Sequence, residues 1–478
     1  MFGPRDLRGI AHPIVLAALI AVAATACGQQ TPPPTSSAAS PAASTAQSSV
    51  APTATPPAPT PTPMARIEQP PPPDGLAIAP ESARVDLAMP VFSDPTSITN
   101  PLFPVSRQGS VLLVGEVDGQ PFRTEVTVLP EVRIIAWEGQ AVEILVSQYV
   151  AFLEGRLEEV AYDFYAQADD GSVWYFGEEV FNFADGSIVD THGSWLAGWD
   201  GPAAMIMPAQ PKVGDVYRPE NIPGLVFEEV TVRAVDEVLD GPFGPLAGGL
   251  LIRELHMEGS TEDKTFGPGY GEFYTSDGTD VEALALAVPA DATAAPLPAD
   301  LAAVTEGAQA AYDAADAKDW AAADDAVGRV QAGWATYSAG QIPARVRPIL
   351  EGAIMALSEA VAARRSTAAA QAGIDAARWS LDLQLRNRPV TEVDLARFGL
   401  WVDQLGLDAA AKDPGLARRD LFALDYIRDR VRAALGASDA AAIDVLMEEL
   451  DSAMGDEDFA ALAASARRLG EVMASLTS

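Results

Sequence analysis

The sequence predicts an antiparallel β domain, a half-barrel or barrel, followed by an all-α helical bundle. Three observations carry that expectation. Apolar runs of strand length, separated by Asp-Gly and Glu-Gly pairs, fill the middle of the chain, as hairpins require. From about Asp300 the apolar spacing changes to three and four residues, the period of an amphipathic helix. Prolines crowd into the first eighty residues instead, and a chain of 478 residues is long enough for roughly two cores beyond such a segment.

Residues 1–27 have a secretory layout: Arg5 and Arg8, an apolar run from Pro13 to Ala24, then Ala24-Thr25-Ala26-Cys27. The apolar run is shorter than the roughly 20 residues a membrane span needs. Small residues before a cysteine resemble the bacterial lipobox, with Ala24 where that pattern usually has Leu. By that resemblance residues 1–27 are a lipoprotein signal peptide, and Cys27 carries the acyl anchor that holds the protein to a membrane on its extracytoplasmic side. Cys27 is the only cysteine, so no disulfide forms within one chain. Residues 28–85 are rich in Pro, Ala, Ser and Thr, with too few large apolar side chains to fold, and read as a disordered, extended linker.

The chain is strongly acidic, with a formal charge of −36. The excess is concentrated in residues 81–299, where 36 acidic residues face 10 basic ones. Such a field repels phosphate backbones and excludes nucleic acid as a partner. The simplest reading is a solvated acidic surface, with cation binding as the functional alternative.

The β domain is expected over residues 90–290. Val111 to Val117, Phe122 to Val128, Val132 to Trp137 and Ala141 to Tyr149 are successive strands. Asp118-Gly119, Glu138-Gly139, Glu154-Gly155, Asp170-Gly171 and Asp185-Gly186 supply turn residues that tolerate positive φ. At the centre lies Tyr162 to Val180, a hairpin with two aromatic arms. Tyr162 and Phe164 share one face, Trp174 and Phe176 one face of the next arm, and Tyr165 and Tyr175 the opposite faces. A sheet with one wet face does not need aromatics on both, so a loop, helix or ligand is expected over the second. Later strands are expected at Val226 to Val232, Leu250 to Met257 and Glu282 to Val288.

The run Tyr162 to Glu178, with Gly193-Ser194-Trp195, Ile206-Met207-Pro208-Ala209 and Lys212-Val213-Gly214-Asp215, resembles a family of uncharacterised bacterial secreted proteins and lipoproteins. The resemblance covers about residues 90 to 280. Ala168 stands where that family usually has an acid, and Ser172 where it often has Asn. The family's function is not known, so the resemblance implies no catalytic residue.

Candidate site residues come from the aromatic loop. Trp174, Phe176, Trp195 and Trp199 with Met205 and Met207 can line an apolar ligand pocket, with core packing as the competing role. His192 sits within reach of the same loop, but without a second His or Cys nearby it makes a poor zinc site. Asp163, Glu178 and Glu179 can act as an acid and base pair only if they face each other about 5 to 10 Å apart. Asp169 and Asp170 are better explained by turn chemistry than by calcium.

The helical bundle is expected over residues 300–478, with about seven helices. Pro348, Thr391 with Asp394, Asp413-Pro414 and Gly436 with Ser438 mark helix boundaries. The Arg and Asp mixture from Leu381 to Phe398 suggests interhelical ion pairs, with an anion site as the alternative, and Asp425 and Asp429, at i and i+4 on one helix face, can share a metal.

No catalytic or cofactor motif is present, so no cofactor is expected. The leading expectation is a non-enzymatic binding or scaffold module of the cell envelope, with a small-molecule or protein partner. The alternatives are a carboxylate-based hydrolase in the β domain, near the Trp195 loop, and a metal-uptake accessory acting through the helical bundle.

Overall fold

A computed structural model describes residues 75–477. The expected signal peptide, Cys27 and residues 28–74 of the Pro-rich linker lie outside the described residues. The described chain forms a fourteen-stranded antiparallel sheet that does not close, followed by eight α-helices. The expected order of β domain and helices is therefore observed, with one helix more than the periodicity marked out. Among the described residues no helix is long and apolar enough to cross a membrane.

The sheet grows from its middle. From β1 (Ser110–Val117) the chain meanders through β2 (Gln120–Trp137), β3 (Gln140–Leu153), β4 (Arg156–Gln167) and β5 (Val173–Ala184) to an edge at β6 (Ser187–Asp190). Two short strands, β7 (Trp195–Leu196) and β8 (Ala204–Met207), also pair with β5. The chain then crosses to the opposite edge at β9 (Val216–Ile222). It returns through β10 (Val226–Gly241), β11 (Gly244–His256), β12 (Thr261–Gly267) and β13 (Gly271–Ser276) to β14 (Val281–Val288), which pairs with β1. Four of the expected turns, at Asp118-Gly119, Glu138-Gly139, Glu154-Gly155 and Asp185-Gly186, have positive φ at both residues, the two-residue turn that matches strand twist.

Residues 76–109 strap the open seam. Val85 donates its N–H to the Val216 carbonyl on β9, whereas Gln167 and Asp169, at the end of β4, donate theirs to Pro95 and Val91. Phe92 on this strap packs edge-on against Phe176 and Trp137. A loop therefore covers the Trp174 and Phe176 face, one of the three covers expected.

The helices are α1 (Ala299–Asp316), α2 (Trp320–Tyr337), α3 (Val346–Ala362), α4 (Ser366–Gln384), α5 (Val390–Ala411), α6 (Pro414–Val431), α7 (Ala437–Gly455) and α8 (Phe459–Thr477). Asp319, Asp413 and Asp458 accept backbone N–H groups at the starts of α2, α6 and α8. The start expected at Thr391 with Asp394 differs. Pro389 precedes the first turn of α5, and Asp394 is buried against Arg397. Asp425 pairs with Arg428 and Asp429 accepts the Tyr162 hydroxyl, which accounts for both acids.

The helices pack on the outer face of the sheet and share its core. Leu112, Val114, Ala285 and Leu286 join the residues of α1 to α4, whereas Val150, Phe152 and Val160 join those of α5 to α8. Between these apolar regions lies a buried ionic network of Arg123 and Glu125 from β2 with Asp382, Asp394, Arg397 and Arg430 from the helices. Three guanidinium groups meet three carboxylates, so the burial is balanced in charge.

Candidate functional site

Strand alternation sends every second side chain to the concave face, where a cavity of about 130 Å³ lies. Phe103, Val105, Val111, Leu113, Ile206 and Ile252 make part of its wall apolar. The rest is polar in an unusual way: Asp163, Glu220, Glu228, Glu254, Glu272 and Glu282 line it, against one lysine, Lys264. Glu178 on β5 lies opposite Asp163 on β4. The strap contributes Phe103, Val105 and Gln108 to this wall.

These acids fall into two groups. In the first, Lys264 Nζ contacts Glu254 Oε2 at 2.6 Å and Glu262 Oε1 at 2.9 Å, and His256 Nδ1 lies 3.3 Å from Glu228 Oε1. Burial opposes the Lys264 ammonium, but Glu254 and Glu262 outweigh it and hold its pKa well above the lysine range. The same balance, with Glu228 the main partner, pushes His256 up to about 9. Glu254 is held below the usual carboxylate range because Lys264 and His256 overcome its burial.

The second group has no basic partner. Asp163, Glu178 and Glu220 are buried together, with Glu159 nearby on β4. Burial first, and then Glu220 and Asp163, drive Glu178 well above the carboxylate range. Burial, with Glu228 adding to it, does the same to Glu220, and burial pushes Asp163 up to about 7. Glu178 is 1% exposed, with the Tyr175 hydroxyl and the Glu220 carboxyl beside it. The surrounding hydrogen bonds orient this group. Tyr175 donates its hydroxyl to Asp163 at 2.8 Å, and the Trp195 indole donates to Glu220 Oε1 at 3.0 Å. Tyr165 stacks on Tyr175, and Trp195 meets Tyr175 edge-on.

The residues expected to line an apolar pocket are distributed otherwise. Trp174, Phe176, Trp195, Met205 and Met207 come together in one buried core. None of these five borders the cavity; their chain neighbours Tyr175 and Ile206 do, one residue away and on the other face. Trp195 reaches the site indirectly, through Glu220. Trp199 is 73% exposed and does not join the core. His192 is exposed too, in the turn after β6, with its backbone N–H donated to Asp190. Glu179 faces solvent and pairs with Arg133. Asp169 and Asp170 are turn residues that accept hydrogen bonds from Ser93 and Ser172.

The concave-face acids differ from the expectation of a solvated acidic surface. Glu220, Glu228, Glu254, Glu262 and Glu282 all occupy inward positions and are buried. Their one sequence signal is period: Glu254, His256, then Glu262, Lys264 step by two, as residues sharing one face of a strand do. No protein-family model matches the chain, and no curated protein matches it.

Proposed function

We propose that this protein is a binding module for a small organic cation with an apolar body, received in the concave cavity of the half-barrel. The observation that carries this reading is the pair Asp163 and Glu220, buried carboxyls in the cavity wall backed by Glu178, with no basic residue in the group. Burial holds these carboxyls toward the protonated form, and an ammonium or guanidinium ligand supplies the opposite charge and the donors that let them ionise. The aromatic rings of Tyr165 and Tyr175 favour the same ligand class, since a cation is attracted to a ring face. The apolar wall would take the rest of the molecule.

The test is titration of the purified protein with a series of alkylammonium and alkylguanidinium ions, followed by calorimetry and thermal shift. Glu220→Gln should weaken binding about tenfold or more, the worth of a buried charged hydrogen bond. Equal affinity in that variant would sink the reading. The envelope location belongs to the same proposal and rests on the N-terminal sequence. Radiolabelled fatty acid should be incorporated by the native chain and not by Cys27→Ala.

A second reading, carboxylate-based hydrolysis, is favoured by one observation. Asp163, pushed up to about 7 by burial, lies opposite Glu178 across the β4–β5 ladder, so a protonated acid can stand beside a second carboxyl group. Turnover of a panel of aryl glycosides and esters that is lost in Asp163→Asn would favour it over binding alone.

A further inference from the structure

The other group of concave acids has a different geometry. Donor atoms of Glu254, His256 and Glu262 lie within 4.8 Å of one another, which is the spacing of ligands around a single ion. These side chains come from adjacent strands, β11 and β12, in register across the Glu254 and Glu262 pair. His256 turns Nε2 toward Glu262 Oε1, 3.8 Å away, and Nδ1 toward Glu228. Both atoms are buried: Nδ1 faces Glu228, and Glu262 Oε1 also meets the Lys264 ammonium. A further group independently points to a missing ligand. The Tyr217 hydroxyl, on a residue 0% exposed in the cavity wall, has no hydrogen-bond partner and lies close enough to Glu254 and Lys264 to feel their charges.

We propose that Glu254, His256 and Glu262 form a binding site for a divalent transition-metal ion, which displaces the Lys264 ammonium into the adjoining cavity. One imidazole with two carboxylates suits Mn2+, Fe2+ or Co2+, because Ca2+ and Mg2+ prefer all-oxygen sites and softer ions prefer more imidazole or thiolate. Glu228 at Nδ1 takes the part of the outer carboxylate that orients a metal-bound histidine through its other nitrogen. His256 gives up the Nε2 proton to solvent as the metal binds, since only the neutral imidazole has a lone pair to donate. Lys264 now occupies the place of positive charge between Glu254 and Glu262. The cavity has room for its side chain, and Glu272 and Glu282 are near enough to receive the ammonium.

This site shares the cavity with the organic-cation reading but does not rest on it, since Glu178 and Asp163 take no part. The experiment uses the full chain, stripped with chelator and titrated with Co2+ or Mn2+ alone. The expected result is one ion per chain, with a visible Co2+ spectrum characteristic of nitrogen and oxygen ligands. His256→Gln and Glu262→Gln should each weaken binding by at least about a hundredfold, more than the tenfold to hundredfold cost of losing an outer partner. Lys264→Met, which removes the competing ammonium, should strengthen it by about tenfold. Glu178→Gln should leave it unchanged, and thermal melts of each variant separate lost folding from lost ligation. Absence of binding to the native chain would overturn the proposal, even if Lys264→Met acquires it. Unaltered affinity in a folded His256→Gln protein would overturn it too, as would an equal loss in Glu178→Gln. A Lys264→Met variant that binds no more tightly would overturn the displacement.

Discussion

Arg430 on α6 donates a guanidinium N–H to Glu125 on β2 at 2.7 Å, joining residues 305 positions apart in the chain. Its Nε–H goes to Gln148 on β3 at 2.6 Å, so one side chain holds two neighbouring strands against the helices. Arg397, 2% exposed, extends the network to Asp382 and Asp394, and Arg123 closes it back to Glu125. Three guanidinium groups pull Glu125 well below the carboxylate range despite its burial.

Removing one member leaves uncompensated buried charge, a more damaging change than losing a surface pair. Arg430→Ala should therefore destabilise the protein by about 3–5 kcal/mol. Because the network and the shared apolar cores bridge sheet and helices, both parts should unfold together. Urea titration followed by circular dichroism and by tryptophan fluorescence checks this: coincident transitions are expected, and well-separated ones would show that the sheet and the helices are independent.

The expected architecture followed from strong local signals. Asp118-Gly119 and its three companion turns announce hairpins because few other residue pairs adopt two positive φ values easily. Asp413-Pro414 announces a helix start because Pro at the first turn has no N–H to satisfy, and Asp accepts the N–H groups that follow. The site was harder to read. Alternation separates the two faces of a strand but does not say which is concave, so Tyr175 and Trp174 were equally eligible to face a ligand. Glu220 and Glu254 look like any exposed acid until the sheet curls them toward each other. The Arg430 to Glu125 contact, spanning most of the chain, leaves no local trace at all.

Cation binding in the cavity should depend on pH through Asp163. Its folded pKa is pushed up to about 7 from an ordinary value of 3.8, so near neutrality the group is partly protonated without ligand. A cation binds the ionised form and expels that proton, so affinity should fall as pH drops through about 7. The sign reverses for stability of the ligand-free protein. The unfolded chain loses the proton above 3.8 while the folded chain retains it to about 7, so Asp163 progressively destabilises the fold over that interval as pH rises. Ligand-free protein should therefore lose less of its thermal stability in Asp163→Asn than in the native chain between about pH 5 and pH 8. Parallel melting curves across that range would count against the assignment.

Trp195 is expected to act on the site through Glu220. Trp195→Phe keeps a ring against Tyr175 but removes the indole donor, leaving Glu220 with one fewer hydrogen bond. The cost should be about 1–3 kcal/mol in stability. Loss of that donor also favours the protonated carboxyl, so the pH midpoint for cation binding should move upward. Calorimetric titration at several pH values measures both, and a midpoint that stays in place would separate Trp195 from the site.

Gly177 sets how closely the Trp195 loop approaches β5. Its φ is +116°, and a Cβ built there would lie 2.1 Å from the Trp195 carbonyl oxygen. Gly177 and Glu178 are the two residues of β5 that pair with Leu196 and Trp195, so displacement of the loop reaches the acid group directly. Gly177→Ala should cost about 1–3 kcal/mol from backbone strain and clash, and should weaken cation binding as well. Gly119→Ala provides the comparison: that glycine also has positive φ, at +71°, but nothing lies within 4 Å of its Cβ position. It should lose only about 1 kcal/mol and retain full affinity. Denaturant titration and ligand calorimetry on the two variants distinguish the contributions. Equal losses at both positions would mean that the left-handed backbone alone, and not the approach of Trp195, requires glycine at 177.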